Sequence, residues 1–154
     1  MQIHILSREK IEKLAKTPFE PDTAVISITD FGTDFAELEN KPKHILQLVF
    51  DDVDNDVFLD HPRLKRETVE KKYDMYTTIH AKAVANFYAQ IKNTAKVLIC
   101  QCEHGQSRSA AIAAAIMEHR DKNGIEIFAD DNLWPNKMIF KKTLEALQNP
   151  TKKR

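Results

Sequence analysis

No stretch of this chain is apolar for the length a bilayer demands; even residues 96–102 are broken by Gln101. The first ten residues, MQIHILSREK, lack both the basic start and the long apolar core of a secretory signal. Excess charge of one sign is missing too. Lys plus Arg and Asp plus Glu both number 23, so no global field marks nucleic acid or an anionic membrane as a partner. Cysteine is scarce, with only Cys100 and Cys102 present. On a strand they share a face at nearly two rises' separation, too far for a relaxed disulfide. The expectation is a reduced, cytoplasmic protein. The six histidines have no metal-ligand spacing, so no metal and no cofactor is expected. Repeats and low-complexity tracts are also lacking.

What is present is an ordinary globular composition. The 154 residues are 42% hydrophobic and 30% charged, enough for one domain with a single sizeable core. MQIHIL alternates loosely and suits an edge strand, and Ser7 then caps a helix over 8–16 with Ile11, Leu14 and Ala15 on one face. AVISIT, residues 24–29, is β-branched and apolar and reads as a buried strand. A short helical piece is expected around Phe35–Leu38, then a strand in HILQLVF, residues 44–50. Residues 74–92 place Tyr76, Ile79, Ala83, Phe87 and Ile91 at helical spacing. KVLICQC is a central strand, and residues 108–122 form a buried helix with Gly124 as its cap. Pro135 opens a last helix with Phe140, Leu144 and Leu147 facing inward. Strands alternating with helices predict an α/β fold, a mostly parallel central sheet flanked by helices. Ligands of such sheets bind beyond the carboxyl ends of the strands.

The loop CEHGQSRS, residues 102–109, lies at one of those ends. If it coils into a cradle, its N–H groups and the helix N-terminus together make an oxyanion site. Gly105 relieves the turn where a Cβ would obstruct it. Arg108 offers a planar fork for two phosphate oxygens, which lysine cannot supply. Cys102 enters the same positive field, which favours the thiolate, the nucleophilic form. A thiolate beneath a bound phosphate is placed for in-line attack on phosphorus, and Ser109 can hydrogen-bond it and help it leave.

These eight residues match the Cys-x-x-Gly-x-x-Arg-Ser signature of the cysteine-dependent protein tyrosine and dual-specificity phosphatases. The loop most resembles the small dual-specificity branch, in which Cys-x-x-Gly-x-Ser-Arg-Ser is common. Its setting extends the resemblance over roughly residues 22–147, and the domain implied is 1–150 with a frayed tail at 151–154. The resemblance implies a metal-free phosphocysteine mechanism acting on phosphotyrosine, with phosphoserine or phosphothreonine also open. Cys102, Arg108, Ser109 and an aspartate carry the catalysis. Glu103, His104, Gly105, Gln106, Ser107 and Arg108 surround the substrate phosphate, and a phosphate or sulfate ion is expected in the loop. Partners are a phosphorylated protein or a small phosphomonoester, with no membrane and no nucleic acid indicated.

Two features depart from the pattern. Gln101 stands where the family usually has histidine, so the hydrogen bonds around the cradle must differ. Glu103 adds negative charge inside the loop and argues against highly anionic substrates such as polyphosphoinositides.

The leaving group needs a proton donor. HILQLVF ends in Asp51-Asp52, and the related pattern places the acid at Asp52, with Asp51 next and Asp54 or Asp56 behind. The interval from Asp52 to Cys102 is 50 residues, lengthened by the charged segment 53–73. Loops of that length are often functional lids. An EF-hand reading of the aspartates fails, because Val57 and Arg63 stand where glycine and glutamate are required. The basic run from Arg63 to Lys72 is either a solvated face or a patch that steers acidic substrates. Asn136 is expected to cap or orient the last helix near the cleft.

Three readings stay beside the phosphatase. Cys102 and Arg108 can bind phosphate without turnover, as in a pseudophosphatase. RNA 5′-phosphatases share the signature. The plainest alternative is a buried structural cysteine followed by an ordinary helix arginine.

Overall fold

TAVISIT carries no charged side chain, and in the folded chain all seven of its residues are buried. A strand of that kind has to be covered on both faces, the condition of an inner strand in a parallel sheet. A computed structural model describes residues 1–53 and 74–150 and builds them around a four-stranded, all-parallel sheet. Its strands are β1 (Gln2–Ser7), β2 (Thr23–Thr29), β3 (His44–Val49) and β4 (Val97–Cys102), in the order β1-β4-β2-β3. β4 is an inner strand. It pairs with β1 from Gln2↔Val97 to Ser7↔Cys102 and with β2 from Thr23↔Val97 to Ser27↔Gln101.

The alternation of side chains along these strands divides the core into two layers. Ala24, Ile26, Ile28, Leu98, Cys100 and Cys102 belong to the larger layer, with residues of α2 (Thr78–Ile91) and α3 (Arg108–Asp121). After the short α4 (Ile125–Ala129), α5 (Lys137–Gln148) completes that layer through Ile139 and Leu147. On the opposite face, Val25 and Ile99 pack with Ala36 and with Ile11 of α1 (Arg8–Leu14). Small side chains let α3 sit close to its neighbours, and every residue from Ser109 to Ile116 is fully buried. Among the described residues, no helix is long and apolar enough to cross a membrane.

Ser7 caps α1 as expected, its side chain accepting from the Lys10 N–H. Other details differ. Residues 35–38 are not helical, because their backbone groups are engaged elsewhere: Arg8 Nη2 donates to the Phe35 carbonyl, and the Glu37 N–H donates to Glu12. Leu14 stays half exposed while Ile11 and Ala15 are buried. Tyr76, before α2, and Phe87 and Ile91 within it are buried as expected, joined by Ala81, Val84 and Tyr88, while Ile79 is exposed. α3 ends on Lys122, which takes the left-handed conformation at φ 60°. Gly124 serves a different need: a Cβ there would lie 2.6 Å from the Ala114 carbonyl oxygen. α5 is capped by Asn136, which accepts from the Ile139 N–H, so Pro135 precedes the helix. Phe140 and Leu144 face inward as expected, partly buried and packed against the larger layer. The charged run between Arg63 and Lys72, and the aspartates Asp54 and Asp56, lie outside the described residues.

Cys100 is fully buried, and its thiol is pushed up to about 12, first by desolvation and then by the neighbouring Cys102. In an unfolded chain a cysteine titrates near ~8.5. A group raised on folding adds stability that is complete below the unfolded value and is lost as pH climbs through the folded one. Tyr76 is raised in the same sense, again by burial, with its bond to Thr143 opposing. Stability should therefore fall from about pH 9 upward, and Cys100→Ala should make that decline shallower in urea unfolding measured across the range.

Candidate active site

β4 ends at Cys102, only 2% exposed, and six residues later α3 begins at Arg108. The intervening loop crosses the end of β1 so closely that a Cβ on Gly105 would lie 2.6 Å from the Ser7 nitrogen. Gly105 also holds φ at 68°, so glycine is required twice over. The loop is anchored on both flanks. The Glu103 carbonyl accepts from the Arg8 N–H at 3.1 Å, and the Gln106 carbonyl from the Trp134 N–H at 2.8 Å. The Ser107 carbonyl accepts from Asn136 N–H at 3.3 Å and from Ala111 N–H at 2.9 Å. Across a trans peptide the next N–H points opposite to the carbonyl. The amides of His104, Ser107 and Arg108 are thereby turned away from the scaffold.

Inside this turn, Cys102 Sγ lies 3.1 Å from the hydroxyl of Ser109, which is fully buried on the first turn of α3. Arg108 is 5% exposed, and its Nη1 donates to Asp30 Oδ1 at 2.5 Å and to the Phe50 carbonyl at 2.9 Å. Asp30 follows β2 and Phe50 follows β3, so the guanidinium spans the carboxyl ends of two strands. Sequence reading misses Asp30. Its signal is an acidic residue directly at the end of a buried apolar strand, which becomes informative only once that strand is known to adjoin β4.

Gln101 is buried and bridges two groups. Its Oε1 accepts from Ser27 Oγ at 2.5 Å, and its Nε2 donates to the Cys102 carbonyl at 3.1 Å. The amide thus braces the Cys102 backbone through a group that carries no charge. Glu103 points its carboxylate to Arg8, 3.5 Å from Nη1. His104 and Gln106 are exposed on the rim.

Asp52 joins the loop from the end of β3. Its Oδ1 accepts from Ser107 Oγ at 2.9 Å and from Asn136 Nδ2 at 2.8 Å. Asn136 also donates to the Val53 carbonyl at 3.0 Å, so the residue that caps α5 ties the helix to Asp52 and Val53. Asp51 faces another way, accepting from the Phe31 N–H at 3.2 Å and the Asp74 N–H at 2.8 Å. The site therefore gathers Asp52 and the whole segment 102–109, held by contacts that sequence reading does not anticipate, among them Asp30, the Phe50 carbonyl and Arg8.

No family model and no curated protein matches the sequence. Solved structures do. The crystal structure of PTPMT1 in complex with PI(5)P aligns at a TM-score of 0.56 and 13% identity, over 96% of this chain and 91% of that one. Tk-PTP in the active form aligns at 0.56 and 12% identity, over 98% and 94% of the two chains. PTPMT1 solved separately aligns at 0.52 and 15% identity, over 96% and 90%. The fold is that of the protein tyrosine phosphatases. At such identities the likeness lies in the path of the chain. Within the tyrosine phosphatase fold, the strand, loop and helix that carry Cys102 and Arg108 occupy the middle of the sheet and one of its buried faces.

Proposed function

We propose that this chain, over residues 1–150, is a cysteine-dependent phosphatase that hydrolyses phosphomonoesters through a phosphocysteine intermediate. The observation that carries the reading is the thiol of Cys102 at 3.1 Å from Ser109, at the start of a loop whose Glu103, Gln106 and Ser107 carbonyls are bonded to the surrounding scaffold. The fold of its phosphatase neighbours supports it.

The phosphate binds to the loop amides and to Arg108. Both anchoring bonds of that guanidinium fall on Nη1, so its Nε–Nη2 edge is the fork that meets two oxygens. The Cys102 sulfur attacks phosphorus as the ester oxygen departs. Asp52 protonates that oxygen; its Oδ1 is held by Ser107 and Asn136, which leaves Oδ2 to carry the proton. Asp52 then takes a proton from water, whose oxygen attacks the phosphocysteine. The hydrogen bond from Ser109 stabilises the sulfur as it leaves. Asp51, with both oxygens accepting backbone N–H bonds, has a structural role in this scheme.

Phosphotyrosine is the favoured substrate, and dual specificity remains within the same chemistry. One neighbour is a PI(5)P complex. Glu103 argues against multiply charged headgroups here, although its pairing with Arg8 moderates that field.

The test is p-nitrophenyl phosphate hydrolysis between about pH 4.5 and 8, with EDTA and reductant present. Activity that resists EDTA and needs Cys102 supports the proposal; a folded wild type that binds phosphate but does not turn over favours the binding module. Asp52→Asn should lower kcat on the order of 10²-fold for poor leaving groups and much less for p-nitrophenyl phosphate. Asparagine has no acidic proton to lose, so the alkaline decline set by the acid should vanish from the pH–rate profile. The same results from Asp51→Asn would move the acid by one residue.

A further inference from the structure

Beside the cradle, on the flank of Asp52, lies a cavity of about 450 Å³, lined in part by Asp52, Ser107, Phe128, Leu133, Trp134 and Pro135. Its size is that of a small-molecule site. Ser107 belongs to both cradle and cavity, and Asp52 is hydrogen-bonded to Ser107. A phosphate ester seated in the loop must pass its leaving oxygen alongside Asp52, which directs the rest of the leaving group into this space.

Phe128, Leu133, Trp134 and Pro135 give the cavity apolar lining, with Asn136 and Lys137 beside them. The backbone N–H of Trp134 donates to the Gln106 carbonyl, which ties this stretch of main chain to the cradle. Phe128 is held from behind by Phe140, edge to face at 4.9 Å between ring centres. Yet the Trp134 side chain stays 64% exposed. A large ring left uncovered on a rigid support beside a polar site marks a surface that a ligand covers.

We infer that this cavity is the leaving-group subsite, and that Trp134 selects phosphomonoesters whose leaving group is an aromatic ring. The inference rests on the phosphatase reading and adds the residue that sets its preference. A flat ring stacks on Trp134 while its ester oxygen remains at Asp52. A flexible alkyl chain would gain burial against the same wall but no stacking, and it would lose more freedom on binding.

Trp134 is the chain's one tryptophan, so its emission reports on this wall alone. The experiment measures binding of methylphosphonate, benzylphosphonate and octylphosphonate by fluorescence, and by competition against p-nitrophenyl phosphate. The wild type should bind benzylphosphonate about tenfold more tightly than methylphosphonate, and only the ring-bearing ligand should shift the emission markedly. In Trp134→Ala the competition assay should give equal affinities, with methylphosphonate unchanged, which also shows that the cradle is intact. Trp134→Phe should restore most of the preference.

Equal binding of the two ligands by the wild type, a preference that survives in Trp134→Ala, or tighter binding of octylphosphonate would each overturn the assignment. Absence of methylphosphonate binding by the folded wild type would instead refute the cradle, and the subsite with it. The two failures are therefore told apart by the smallest ligand.

Discussion

Cys102→Ser is expected to lower kcat for p-nitrophenyl phosphate by at least ~10⁴-fold, while inorganic phosphate still binds within a few-fold of wild type. The substitution is nearly isosteric at a site only 2% exposed, so neither the loop nor α3 needs to move. The amides turned by the Glu103, Gln106 and Ser107 carbonyl bonds remain, as does Arg108. What disappears is the proposed nucleophile, since a serine hydroxyl is not ionised at neutral pH and Ser109 offers no base to deprotonate it. Binding and turnover should thus separate cleanly. Turnover in the serine variant within about tenfold of wild type would exclude the phosphocysteine route. Loss of phosphate binding would mean that the thiol itself, and not the cradle, holds the anion.

Arg108→Lys should be the second-largest effect, a fall of roughly 10²- to 10³-fold in kcat/KM. On the proposed mechanism arginine has two tasks at this position. Nη1 is committed to Asp30 and the Phe50 carbonyl, and the remaining edge is assigned to two phosphate oxygens. A lysine ammonium keeps the charge but concentrates its donors at one point, so it satisfies either the strand ends or the phosphate. Because Arg108 is 5% exposed, the variant should also lose some stability, which thermal unfolding would register separately. If the lysine enzyme stays within a few-fold of wild type, the fork has no catalytic role and Arg108 is a structural tie between strand ends.

Much of the site was legible because its chemistry is local. Seven residues separate Cys102 from Ser109, six separate it from Arg108, and all sit on one strand, one loop and one helix start. Spacing within such a unit is dictated by helix and turn geometry, and Gly105 follows from the same turn, its need sharpened by the passage of β1. The strands were legible for a similar reason. Runs such as TAVISIT and VLICQC carry no charged side chain, so burial on both sides is what composition predicts.

The partners that complete the site were decided by tertiary structure. Asp30 lies 78 residues before Arg108, and Asn136 lies 84 after Asp52. They meet because the strands assemble in the order β1-β4-β2-β3, which sets the end of β2 beside that of β4. Hydrophobic periodicity is blind to that order, since any arrangement of these strands buries the same side chains. The same limit explains α2, where the helical spacing placed Ile79 with Phe87 and Ile91. Packing buried Phe87 and Ile91 together with Val84 and Tyr88, and left Ile79 in solvent. The sequence by itself determined the buried strands and the local strand–loop–helix unit that carries Cys102 and Arg108. Which distant side chains anchor Arg108, hold Asp52 and wall the neighbouring cavity was decided by the sheet order and the docking of α5, because those contacts exist only between elements far apart along the chain.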